Sequence, residues 1–121
     1  MILLPWPNHK LSSNARYDLR ALTAIRRQAK QDGYYAALEA GLSLPAAQLE
    51  MRWKFYPPDR RQRDDDNLLT SCKPFRDGIF LALKLDDHLV RRTVIEWGPV
   101  CKGGKVEVEI GELSCKLNGL Q

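Results

Sequence analysis

Cysteine is scarce and poorly spaced for chemistry. The three present, Cys72, Cys101 and Cys115, are odd in number and none forms a C-x-x-C pair. That pattern supports neither a disulfide framework nor a zinc site and reads as reduced, cytosolic thiols. Long hydrophobic runs are missing as well. No apolar stretch approaches the roughly 20 residues needed to cross a bilayer, and the opening Met1 to Pro7 carries neither a basic n-region nor a small-residue cleavage site. The expectation is a cytoplasmic protein with no membrane partner. Internal repeats and low-complexity tracts are also lacking. At 121 residues the chain reads as one domain, with an ordered core over 1–113 and a tail over 114–121, so one surface must both bind and act.

What is plentiful is positive charge. The formal net charge is +4 and the sequence pI about 9.1, with Lys and Arg clustered at Arg16 to Lys30, Arg52 to Arg63 and Lys102 to Lys105. The aromatics Trp53, Phe55 and Tyr56 interrupt the second cluster. A polyanionic partner follows from the distribution more than from the sum.

Ile2 to Trp6 predicts a short strand closed by prolines. From Asn14, the residues Tyr17, Leu19, Leu22, Ile25, Ala29, Tyr35 and Leu38 recur at helical spacing with Arg20, Arg26, Arg27 and Lys30 between them, giving an amphipathic helix with a basic face. Gly33 is expected to divide or kink it, and Gly41 and Pro45 to stop it. Leu49 to Tyr56 alternates apolar and charged residues, a half-exposed strand. An aspartate near Asp66 caps the next helix, and Pro74 forces a kink or restart near Lys73. His88 to Trp97 and Lys105 to Ile110, with Gly98, Pro99, Gly103 and Gly104 between, read as a hairpin. The order β, α, β, α, β, β predicts an α/β (α+β) domain with a mixed sheet of about four strands backed by two helices.

The most informative stretch is Arg60-Arg61-Gln62-Arg63-Asp64-Asp65-Asp66-Asn67, guanidinium groups set directly against carboxylates. A second pair, Asp86-Asp87, follows after an apolar segment that is expected to fold back and bring the acids together. Carboxylate oxygens suit a hard divalent cation such as Mg²⁺, whose octahedron water and substrate phosphate complete. In an extended segment Asp64 and Asp66 point to one side and Asp65 away. Each motif alone has a plainer reading: the Asp run as a helix-capping turn, Asp86-Asp87 as a surface turn, the arginines as surface ion pairs worth about 0 to 1 kcal/mol. Arg60, Arg61 and Arg63 also suit bidentate phosphate contact, with Lys102 and Lys105 as further DNA-binding candidates. His88 is the histidine nearest the acids. Trp6, Trp53 and Trp97 are expected in the core or at a dimer interface.

Taken in order, Leu4-Pro5-Trp6-Pro7, Tyr56-Pro57-Pro58-Asp59-Arg60-Arg61, Arg63-Asp64-Asp65-Asp66-Asn67-Leu68, Leu85-Asp86-Asp87 and Lys102-Gly103-Gly104 resemble the RusA family of Holliday junction resolvases, over most of the chain from Leu3 to about Glu112. The resemblance implies a small homodimer of phage or prophage type that cuts four-way DNA junctions with Mg²⁺ or Mn²⁺. By motif position it implies Asp64 and Asp66 as the paired acids, Asp87 as the later one and Asp86 as its partner in metal binding. The family's functional lysine falls one helical turn after the second acid, where this chain has Thr70; the nearest lysine is Lys73, which either takes that role across a small insertion in the helix or is not its equivalent.

The expected mechanism has Asp64, Asp66 and Asp87 holding metal at a scissile phosphate, with Lys73 neutralising developing charge. Two matched cuts in a pseudo-twofold junction suit a C2 dimer. The alternatives are a non-catalytic binder of branched DNA and a Mg²⁺-dependent nuclease acting on flaps, forks or a nucleotide phosphate.

Overall fold

The computed structural model describes residues 1–12 and 18–113. The expected tail, Cys115 and the helix start at Asn14 to Tyr17 lie outside the described residues. Strand β1 (Ile2–Pro5) and a 3-10 turn (His9–Leu11) lead to helix α1 (Leu19–Ala40) and strand β2 (Leu49–Tyr56). Helices α2 (Asp65–Ser71) and α3 (Lys73–Leu83), a second 3-10 turn (Asp87–Leu89) and strands β3 (Val90–Trp97) and β4 (Lys105–Glu112) complete it. The result is an α+β fold with three helices and a four-stranded mixed sheet. Among the described residues no helix is long and apolar enough to cross a membrane.

One helix, kinked or restarted near Lys73, was expected where α2 and α3 now stand as a pair. The break falls at Cys72, whose φ of −92° and ψ of 0° leave the helical region, and Pro74 sits in the first turn of α3. There its missing N–H goes unneeded.

The sheet order is β1-β4-β2-β3. β4 runs antiparallel to both β1 and β2, whereas β3 runs parallel to β2, with Leu49 opposite Val90 and Phe55 opposite Trp97. The expected hairpin is therefore wrong: β3 and β4 flank β2 on opposite sides. Their connection crosses the end of β2, held by Gly98 N–H on the Phe55 carbonyl (2.8 Å) and Cys101 N–H on the Pro57 carbonyl (2.9 Å). A glycine- and proline-rich link looks alike whether it closes a hairpin or vaults a strand. Parallel β2 and β3 need a long crossover, and α2 with α3 supplies it.

β2 alternates as its sequence implies, with Leu49, Met51, Trp53 and Phe55 all buried. Beneath it lie Ile2 and Leu4 of β1, Val106, Val108 and Ile110 of β4, and Phe75, Ile79 and Phe80 of α3. Helix α1 covers this layer without interruption, so Gly33 does not divide it. Its role is close approach. A Cβ on Gly33 would sit 2.2 Å from the Phe75 carbonyl oxygen, and one on Gly78 would sit 1.9 Å from that of Lys30, so α1 and α3 touch backbone to backbone at reciprocal glycines.

Candidate active site

The acidic run begins in the loop after β2, and Arg63 organises that loop. Its guanidinium, 12% exposed, donates to the Asp59 carboxylate (2.8 Å) and to the carbonyls of Asp59 (3.2 Å) and Arg61 (2.8 Å). It also lies 5.3 Å from the centre of the Trp6 ring. The Arg61 backbone N–H and then the Arg63 guanidinium hold the Asp59 carboxyl below the usual carboxylate range. Arg63 is thus consumed in architecture, while Arg60 and Arg61 remain exposed.

Asp64 is the N-cap of α2 and accepts the Asp66 backbone N–H at 2.9 Å. Asp65 and Asp66 lie in the first helical turn, where carboxylates complement the dipole. The extended alternation expected for this run does not occur, because the helix starts earlier. Asp65 does turn elsewhere: its Oδ1 accepts the indole N–H of Trp97 at 2.8 Å. The Asp66 carboxylate makes no hydrogen bond or ion pair among the described residues. Asn67 accepts the Ser12 hydroxyl at 3.1 Å. Asp64 and Asn67, but not Asp65 or Asp66, border an open cleft of about 410 Å³, lined also by Trp6, His9, Ser12 and Arg61 among others.

Asp86 and Asp87 form a separate station. Asp86 caps the second 3-10 turn, and its Oδ1 accepts the His88 backbone N–H (2.9 Å) and lies 2.8 Å from His88 Nδ1. The backbone bond first, then the imidazole, lowers its carboxyl below the usual range. Asp87 is tied to α3 by Arg76, which donates to its carbonyl at 3.1 Å and approaches its carboxylate at 3.7 Å. Among the described residues Asp86, Asp87 and His88 form a group whose potential ligand atoms lie within 4.8 Å of one another.

Among the described residues the two stations do not come together as one group of potential metal ligands. Asp65 is bonded to Trp97 at one end of β3, and Asp87 opens the 3-10 turn that leads into Val90 at the other. Seven strand steps of about 3.3 Å separate those ends by roughly 23 Å. The expected lysine is also displaced: Lys73 opens α3, its Nζ 3.5 Å from Asp77, and lines a different groove from Asp64. Lys102 is exposed in the turn before β4, whereas Lys105 is held 3.8 Å from Glu107 and 4.6 Å from the Tyr56 ring centre. Trp53 lies in the core as expected, but Trp97 is 40% exposed. Sequence reading passed over Arg76 and the Asp65–Trp97 bond. The only available signal for Arg76 was its place on the polar side of α3 with Lys73 and Asp77, which does not disclose its reach to Asp87.

The donors at both stations are carboxylates, the ligands a hard cation selects, and the Asp66 carboxylate is exposed and uncommitted. The residues present thus fit Mg²⁺. An α+β domain with a mixed sheet, two carboxylate stations and exposed arginines beside one of them is the class that fold and site define. The chain belongs to the RusA family of crossover junction endodeoxyribonucleases. It is 37% identical over 122 residues to the crossover junction endodeoxyribonuclease RusA of Escherichia coli O139:H28, covering 93% of each chain. The protein of the same name from Escherichia coli strain K12 is 35% identical over the same share. An uncharacterized protein of Xylella fastidiosa strain Temecula1 is 40% identical over 114 residues, 90% of this chain and 74% of that one. No protein-family model matches the chain.

Proposed function

We propose that this protein is a Mg²⁺-dependent endodeoxyribonuclease that resolves four-way DNA junctions by paired, symmetric hydrolysis, acting as a homodimer. The observation that carries the dimer is the separation of the acids by the length of β3. A site that uses Asp64, Asp66 and Asp87 takes the first two from one protomer and Asp87 of the partner subunit as the third. Twofold symmetry then yields two equal sites, as two matched cuts require. Exposed Leu81, Tyr35 and Leu38 on α3 and α1 offer apolar surface for such an association.

Asp64, Asp66 and the partner's Asp87 would hold the ion, with Asp86 beside it, and Mn²⁺ is the natural substitute. When bound, the metal supplies Lewis-acid polarisation of the phosphate and a water of lowered pKa. The chain's own groups do the positioning. Asp64, pinned by its capping bond, fixes the direction of the helix on which Asp66 is presented. Arg60 and Arg61 grip the backbone flanking the scissile phosphate. Lys73 steadies the strand one helical turn further on, rather than at the reacting oxygen.

The capping bond at Asp64 favours one rival, in which the aspartates are structural and the protein merely binds branched DNA. One experiment separates the readings. Asp66→Asn and Asp87→Asn proteins are each expected to bind a synthetic junction in EDTA and fail to cut it with Mg²⁺. Co-refolded together, they form mixed dimers in which one shared site is intact, so single nicks return. No recovery on mixing means that both acids act from the same chain. Full cutting by Asp66→Asn removes Asp66 from the site, no cutting by wild type with any metal removes the nuclease reading, and equal cutting of linear duplex and flaps removes the junction.

A further inference from the structure

Helix α1 carries a basic face that none of the roles assigned above uses. Arg26, Arg27 and Lys30 line a groove of about 830 Å³ between α1 and the start of α3, together with Lys10, Lys73 and a single acid, Asp77. The side chains of Arg26, Arg27 and Lys30 make no hydrogen bond or ion pair among the described residues, and Asp77 is paired with Lys73 alone. Cations on the sheet's open face differ: Arg52, Arg92 and Lys105 all meet glutamates. Exposed cations without acidic partners leave this face electropositive and able to meet an external polyanion.

The groove also has a direction. It shares Ser12 with the cleft that contains Asp64, and at its other end shares Lys30 and Asp77 with the depression beside Asp87. A chain of phosphates leaving the acidic cleft therefore has a continuous cationic path. Arg26 and Lys30, one turn apart, stand about 6 Å apart along the helix, close to two phosphate steps of about 3.4 Å per strand.

We infer that this groove is a DNA-arm track: Arg26, Arg27 and Lys30 bind the phosphate backbone of a duplex arm as it leaves the branch point. The inference rests on the reading of the protein as a junction-binding nuclease, and it adds a surface that sets affinity without touching the reacting phosphate. Contacts of this kind carry no sequence information and reveal themselves through salt.

The test is the salt dependence of binding, in EDTA, for a long-armed four-way junction, the same junction with arms cut short, and a linear duplex. The triple variant Arg26→Ala/Arg27→Ala/Lys30→Ala should fold, since alanine is the strongest helix former. On long arms its slope of log affinity against log salt is expected to be shallower than wild type by about 2.7, three contacts at about 0.9 each. With short arms the two proteins should coincide. The triple lysine/arginine exchange, with Arg26→Lys, Arg27→Lys and Lys30→Arg, should restore the slope. Equal slopes on long arms overturn the inference, as does a difference that persists on short arms. An equal per-charge change in Arg91→Ala, exposed on edge strand β3, reduces it to diffuse charge and overturns it too. If the protein never cuts and prefers no junction, the resolvase reading fails, while a shallower variant slope on linear duplex still supports the track.

Discussion

At the Trp97 end of β3 the acids are held from several elements at once: Asp64 by the helix it caps, Asp65 by Trp97, and the loop before them by Arg63, which is lodged against Trp6 of the N-terminal segment. At the Val90 end, Asp86 closes only its own turn, and Asp87 is joined to the rest of the protein by Arg76. One station's side chains are braced by several elements; at the other, the Asp87 side chain meets one guanidinium, whose Nε is buried with no hydrogen-bond partner among the described residues. For the shared site proposed above, the difference teaches which half would set the frame and which half would adjust to it. A loosely tied acid can settle against a docking protomer, and a rigid helix N-terminus can receive it.

The largest expected effect comes from breaking the frame that carries both stations. Gly78→Ala places a Cβ against the Lys30 carbonyl and Tyr34 nitrogen, backbone that cannot swing away. Overpacking of this kind costs about 3 kcal/mol, roughly 10 °C in Tm, although alanine is elsewhere the better helix residue. A melting curve that moves upward would show the helices are not in contact there.

Next in size is the tether itself. Arg76→Met keeps the aliphatic stem and removes the charge, so Tm should hardly move, because a half-exposed pair contributes about 0 to 1 kcal/mol. Cleavage should fall by about 10- to 100-fold, as when a residue that orients a metal ligand is lost, with junction binding unchanged. Unchanged cleavage would mean that Asp87 is positioned without Arg76, and the contrast between the two ends would lose its basis.

Much of this was legible in the chain. The strict alternation of Leu49 to Tyr56 marks a strand with one buried face, and Asp64 to Asp66 carry the signature of a helix start. A strand pattern identifies a face but not a neighbour, which is why His88 to Trp97 and Lys105 to Ile110, with glycines and a proline linking them, suggested a hairpin where β2 lies between. Glycine in a helix reads as a weakness from composition alone; only the partner backbone at Phe75 reveals Gly33 as a contact. Carboxylate motifs announce metal chemistry, yet nothing in them states how far apart, or on which protomer, the ligands stand.

The smallest effect concerns acid. Asp59 is held below its ordinary pKa of 3.8 by Arg61 and Arg63. A carboxyl depressed by folding stabilises above its unfolded pKa, and that contribution is lost as pH falls through the folded value. The Tm gap between wild type and Asp59→Asn should stay constant from neutral pH to about pH 5 and close below the usual carboxylate range. A gap that survives at pH 2 would assign the loop's order to the Arg63–Trp6 stack instead.

The strand order also imposes a timetable on synthesis. β4 follows the other three strands in the chain, yet it lies between β1 and β2. Until it emerges from the ribosome, Ile2 to Pro5 have no strand to lie beside, and β2 has β3 alone. Pairings between such distant segments are the slow ones. The nascent chain thus waits as a β-α-β unit with its first strand adrift, and the cleft walled by Trp6 takes shape only when the sheet is completed.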